Sequence, residues 1–313
     1  MLRTLPHAAV AGLAGILMFA SFLYVPVLGV LITQASILPL LGVGLRFGLP
    51  TVLVGAGVAL GGAVIALPLA MAPVLTLLDL LPAVLVTSLA LRPAPGGGDQ
   101  GGPAAWYPPG RVLAWLSVAS LGLLALFAVG MPPSEQGLQH QVATMVQAAL
   151  DTVLAAAPAD TRAQVVASMP VYLPGVFLAT WVVRIALCAM VAQRLLSRRK
   201  MARRPTPVYG ALDLPSWSVG LFVAAGVAGV VLGGDGGYLA ANALLGLSVP
   251  LMAMGLVLVH NAARALPHPG IALGAFYATM VLGSTLALAA VVAAGLVEVM
   301  IKRGWFQGQA SRG

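Results

Sequence analysis

The stretch VLAWLSVASLGLLALFAVGM, residues 112–131, decides the fold. It runs for twenty residues without a charge. A helix rises about 1.5 Å per residue, so such a run reaches about 30 Å, the thickness of a bilayer's hydrocarbon core. Trp106 and Tyr107 precede it, as amphipathic rings do at a lipid–water boundary. Pro132 and Pro133 follow it.

Runs of the same kind recur on both sides. Upstream they cover Ala8–Tyr24, Val27–Leu45, Thr51–Leu69 and Pro73–Leu91. Pro39 is expected to kink the second of these. Downstream they cover Val171–Leu196, Trp217–Leu232, Tyr238–Asn261 and Ile271–Ile301, with Pro250 a further kink. Arg3 ahead of the first run gives it the look of a signal peptide. No small-residue cleavage site precedes a polar segment, so it reads as an uncleaved first helix. The expectation is an all-α, polytopic transmembrane helical bundle of eight to nine spans.

Composition agrees. Of 313 residues, 60% are hydrophobic and 8% charged, and mean hydropathy is +1.01. A soluble domain carries about 25% charged residues, so the bilayer has to be the main solvent. The formal net charge of +8 would suggest nucleic acid in a soluble protein. Here Lys and Arg gather at span ends, and six of the sixteen fall between Arg194 and Arg204. That pattern points to the positive-inside rule and to anionic lipid heads instead.

Between the runs the chain divides. Residues 1–92 hold four spans. Residues 93–110 contain PAPGGGDQGGP, a flexible Pro/Gly linker without core-forming residues. Residues 111–313 hold the rest, including the segment 134–168 and the basic loop 197–214. In the former, Leu138, Val142, Met145, Val146, Ala149 and Val153 recur at helical spacing. This is the one extramembrane amphipathic helix, expected to lie flat on the membrane rather than to cover the bundle. A second short helix opens at Asp160 as N-cap. The loop 197–214 is expected in the cytoplasm, and Arg3, Arg46, Arg92 and Arg111 then fall on the same side. Lys302 and Arg303 come out on the far side, against the rule, unless the last spans include a re-entrant piece. The localisation these features imply is a bacterial cytoplasmic membrane.

Ionisable groups inside spans are costly and so point to function. Asp79 and Arg184 stand out, with Trp181 beside Arg184 and Asn242 as the polar residue of the eighth run. Asp79 and Arg184 admit three readings: an ion pair fixing helix register, an Arg184 that snorkels to the interface, or a ligand contact. Asn242 reads as a helix–helix hydrogen bond or a ligand contact. Glu298, His260 and Asn261 read as interfacial. The four histidines are scattered, Cys188 is alone, and no phosphate loop or nucleophile elbow is present. Neither a cofactor nor an enzyme is indicated. The pairs Ala8/Gly12, Ala11/Gly15 and Gly57/Gly61 form small-residue faces, for packing within the bundle or against a partner membrane protein.

Two stretches carry a resemblance. One is LYVPVLGVLITQASILPLLGVGLRFGLPTVLVGAGVALGGAVI, Leu23–Ile65. The other begins at MPVYLPGVF (Met169) and passes through the basic loop and ALDLPSW (Ala211) to NALLGLSV (Asn242). Both are similar to the YybS-like bacterial membrane proteins, which in turn resemble the substrate-binding S components of energy-coupling-factor vitamin transporters. Pro26, Gly29, Leu38, Pro39, Arg46 and Gly48 occupy the family's pattern. The resemblance implies a component that binds a small molecule from the outer side and works with partner subunits that supply energy. The alternative is a non-catalytic scaffold for cell-envelope assembly, with a lipid-modifying enzyme third.

Overall fold

The computed structural model describes residues 2–94, 106–153 and 159–305. Among them it is helical throughout, with no strand beyond one isolated bridge. The helices are α1 (Leu5–Tyr24), α2 (Pro26–Thr33), α3 (Leu38–Phe47), α4 (Leu49–Ala66), α5 (Met71–Leu75), α6 (Leu81–Ala90), α7 (Pro109–Gly130), α8 (Gly137–Val153), α9 (Ala159–Arg198), α10 (Ser216–Val231), α11 (Gly234–Arg264) and α12 (Pro269–Lys302). A π-helical turn, Thr76–Leu80, joins α5 to α6. Eight of the resulting rods are long and apolar enough to cross a membrane, while α10, with sixteen residues, is a shorter apolar helix. Large apolar side chains lie open along these rods, Leu17 at 72%, Ile65 at 87% and Val129 at 86% exposure. Only lipid can cover them. The chain is an integral, multi-pass membrane protein.

Two compact units emerge. One comprises Met1–Leu116 with Val183–Tyr209, the other Ser117–Val182 with Gly210–Gly313.

In the first unit α1 packs on α4 through small residues. A Cβ on Gly12 would overlap the carbonyl oxygen of Gly55, so the two backbones touch. The second apolar run is not one helix kinked at Pro39. It is broken at Gln34–Ile37, and Pro39 sits in the first turn of α3, where its missing N–H does no harm. A Ser/Thr cluster holds the preceding piece down: Thr33 Oγ1 donates to Gly29 O at 2.8 Å, and the single Ser21 hydroxyl proton has Met18 O at 2.6 Å and Gly29 O at 2.9 Å within reach. The linker's interior lies outside the described residues, but its ends are clasped by a bond from Tyr107 N to Arg92 O of 2.9 Å.

The basic loop is pinned by one of its own cations. Arg204 is buried and donates to Ala90 O at 2.8 Å and Tyr107 O at 3.3 Å, while Gln193 Nε2 donates to Arg204 O at 2.9 Å. Burial pulls its guanidinium below its ordinary pKa, and the nearby Tyr209 partly offsets this.

The second unit corrects three expectations. First, α8 does not lie flat on the membrane. Leu138, Val142, Val146 and Leu150 are buried together with Tyr238, against Phe127, Met131 and Leu173. Apolar area that packs on protein is unavailable to lipid. Second, the GGDGG stretch at 233–237, which lies between the apolar runs ending at Leu232 and beginning at Tyr238 and reads as a turn, is not a free turn, since Gly234–Gly237 opens α11. Its Asp235 reaches across to accept the Leu138 amide at 2.7 Å, capping the start of α8. Third, the end of α12 does not come out opposite the basic loop. Lys302 Nζ donates to Leu212 O at 3.4 Å, and Arg303 pairs with Asp213 at 3.0 Å and donates to Leu214 O at 2.6 Å. These residues therefore share one side. The expected second short helix is the beginning of α9, and its Asp160 cap falls on a side chain outside those described.

Candidate functional site

The first unit contains a charged site inside the hydrocarbon layer. Asp79 lies eight residues into the span Met71–Ala90, about 12 Å along it. It sits in the π-turn, which widens the helix and turns the side chain inward. Such single-turn bulges often mark functional positions. Its side chain is 2% exposed.

Three groups converge there. Arg184 Nη2 on α9 donates to Asp79 Oδ1 at 2.6 Å and to Leu78 O at 2.7 Å. The second bond has a clear origin. Pro82 has no N–H, so the α-type bond to the carbonyl four residues back, that of Leu78, cannot form. Ser36 Oγ donates to the other carboxylate oxygen, Asp79 Oδ2. Ser36 lies in the break between α2 and α3. The same break presents Gln34 O to Cys188 Sγ at 3.5 Å, one helical turn beyond Arg184. Non-helical backbone at membrane depth persists only where protein or a polar cavity supports it. Here the charged pair and the break support each other.

Of the residues singled out from the sequence, Asp79 and Arg184 meet directly. The guanidinium is engaged with the Asp79 carboxylate, so the snorkelling reading does not hold. Trp181 is buried, 5% exposed, three residues before Arg184 on α9. Asn242 is fully buried in the second unit, where its partners are all backbone atoms. Its Oδ1 accepts from Gly175 N at 2.7 Å, and its Nδ2 donates to Val171 O at 3.1 Å and Tyr238 O at 2.9 Å. Gly175 N and Val171 O are the two ends of a bond that a regular helix would make directly. The Asn242 amide is spliced into the ladder of α9 where Pro170 and Pro174 disturb it. Tyr238 does likewise: Pro174 cannot bond the Pro170 carbonyl, and the Tyr238 hydroxyl donates to it at 2.8 Å. A side chain at position 175 would meet the Asn242 carbonyl at 2.7 Å, so only glycine fits.

The sequence places the outer loop around Tyr24–Ser36 beside the residues near Trp181 and Arg184 as the lining of a site, and Ser36, at the end of that loop, does reach Asp79, whereas the Leu78 carbonyl was missed. The signal for the carbonyl was present, a proline four residues downstream inside an apolar run. Within the loop Tyr24–Ser36 nothing singled out Ser36 as the one to reach Asp79, because which residue of a broken helix faces inward depends on the break. Among the described residues no three His, Cys, Asp or Glu side chains gather to hold a metal. Glu298 pairs with Lys302 at 3.3 Å at the end of α12.

No protein-family model, curated protein or solved structure matches this chain.

Proposed function

We propose that this protein is a small-molecule-binding, transport-related component of the bacterial cytoplasmic membrane, of YybS-like and S-component-like character. It is not itself an enzyme. The observation that carries the reading is the convergence of Asp79, Arg184 and Ser36 on a broken helix and a π-turn at membrane depth. Interrupted helices with charged partners are the means by which membrane transporters build polar sites in apolar surroundings. The loop 197–214 and the N-terminus face the cytoplasm in this proposal, following their arginines. A solute would enter from the opposite side, near the break at Gln34–Ile37, and energy would come from partner subunits.

The protein, tagged and purified from its native membrane in mild detergent, should bring with it ATPase and coupling subunits identifiable by mass spectrometry. Arg184→Ala should abolish the associated phenotype. An unchanged phenotype at unchanged protein level removes the site assignment.

One observation favours the scaffold as second reading. A Cβ on Gly57 or Gly61 of α4 would meet no atom within 4 Å, so this small-residue face is open, whereas Gly12 and Gly15 are used inside the bundle. Recovery of envelope-assembly proteins without an ATPase would move the assignment there.

A further inference from the structure

The charged site has a side that its own residues leave open. A guanidinium is a planar fork of N–H donors with no acceptor. Among the described residues only Nη2 of Arg184 has hydrogen-bond partners, the Asp79 carboxylate and Leu78 O. Nε and Nη1 have none there, and neither is sealed away, since the buried atoms without a partner lie on other residues. The Arg184 side chain keeps 14% of its surface exposed, against 2% for Asp79. The edge of the fork that carries Nε and Nη1 therefore reaches the molecular surface at membrane depth. Water answers such donors on a soluble protein, and hydrocarbon does not.

What surrounds this edge is apolar. Leu187, Cys188 and Val191 follow Arg184 on one face of α9, and Leu187 and Val191 are exposed. The bond from Cys188 Sγ to Gln34 O sets the end of α2 beside that face, and there Leu31 and Gln34 are exposed. The charge balance narrows the occupant further. Asp79 already cancels Arg184, and both carboxylate oxygens are answered, so the site offers donors and no net charge. An anionic group would leave a negative charge uncompensated in hydrocarbon, which is costly. A carbonyl oxygen accepts the same bonds and adds no charge. Its carrier has to be lipophilic, because the exposed side chains around it are.

We infer that the open edge of Arg184 binds an uncharged, lipophilic carbonyl compound taken laterally from the bilayer. This rests on the reading of Asp79, Arg184 and Ser36 as a ligand site and names its substrate class. The test uses the full-length protein in nanodiscs of ether-linked phosphatidylcholine, a lipid without carbonyl groups. Methyl decanoate, isotope-labelled at its carbonyl carbon, is titrated in and followed by infrared spectroscopy. Wild type should give a saturable carbonyl band, shifted to lower frequency by hydrogen bonding. Arg184→Met/Asp79→Leu, which removes both charges at similar volume, should lack it. No saturable band in wild type, or an equal band in this variant, overturns the inference. Should the double variant fail to fold, Arg184→Lys decides, because lysine keeps a charge opposite Asp79 but has no second edge. A folded Arg184→Lys protein should bind the ester at least about fivefold more weakly, and unchanged affinity also overturns the inference. Labelled decanoate at about pH 9, where it is ionised, should bind at least about tenfold more weakly than the ester. Tighter binding of decanoate overturns the choice of an uncharged acceptor. Repeating the titration in ester-linked phosphatidylcholine separates the two sources of carbonyl: displacement of the label assigns the edge to bulk lipid, and an unchanged band assigns it to a distinct solute. Recovery of ATPase and coupling subunits does not depend on the acceptor. A missing band with those subunits recovered removes this inference alone, and a band without them removes the transport reading alone.

Discussion

Asp79 and Arg184 show how a charged pair survives in hydrocarbon. Both carboxylate oxygens are answered, one by Arg184 and one by Ser36, and Arg184 Nη2 donates to Asp79 and to Leu78 O. Such a pair contributes little net stability compared with apolar residues of the same volume, but breaking it is severe. Arg184→Ala is therefore expected to destabilise the protein by about 3–5 kcal/mol, while Arg184→Met combined with Asp79→Leu returns it close to wild type. Unfolding in mixed micelles measures both. A double variant as unstable as the single one would mean that the pair's charges, not their mutual compensation, hold this region. Tyr209, in the basic loop, gives a second residue-level expectation. Burial pushes its phenol above the ordinary value of 10.0, against a smaller opposing effect of Arg204. The folded state keeps that proton longer than the unfolded one, so the contribution is complete below pH 10 and is lost as pH rises through the folded value. Stability of wild type minus Tyr209→Phe, followed from about pH 9 to pH 11, should fall across that interval.

At the scale of elements, the repeated device is a proline that withdraws an amide and a side chain from elsewhere that answers the exposed carbonyl. Pro82 and Arg184 do this at Leu78, and Pro174 and Tyr238 at Pro170. Asn242 goes further and stands in for a whole peptide bond's pairing. Asn242→Leu leaves Gly175 N and Val171 O without it, and each buried group without a partner costs about 1–3 kcal/mol. Faster hydrogen exchange at the Gly175 amide would report the loss, and an unchanged rate would mean that α9 closes its own ladder. The sequence made the rods legible and their interruptions only half so. Length and hydropathy of residues 112–131 are sufficient for α7. The Val27–Leu45 run looked equally continuous, yet it breaks at Gln34–Ile37 because Ser36 finds Asp79, 43 residues away. The apolar stripe of α8 was likewise evident, but a stripe does not say whether lipid or protein covers it. Tyr238 and Asp235 answer that, and both are distant in the chain.

At the scale of the whole chain, charge placement and contacts now agree. The contacts of Lys302 and Arg303 with Leu212–Leu214 bring the last basic cluster to the end of the basic loop, as the positive-inside rule asks of a single side. In a Cys188→Ser background, cysteines introduced at Ala211 and at Arg303 should react with an impermeant thiol reagent from the same face of sealed vesicles. Labelling from opposite faces would contradict the arrangement.

The charged pair also implies an order of events during synthesis. Asp79 leaves the ribosome 105 residues ahead of Arg184, so the early helices enter the bilayer with a carboxyl group that has only Ser36 to bond. Nascent chains stalled before α9 should therefore stay associated with the insertion machinery, and release should follow the emergence of Arg184. The pair would then serve as a checkpoint in biogenesis, marking the moment when the N-terminal helices can be handed to lipid.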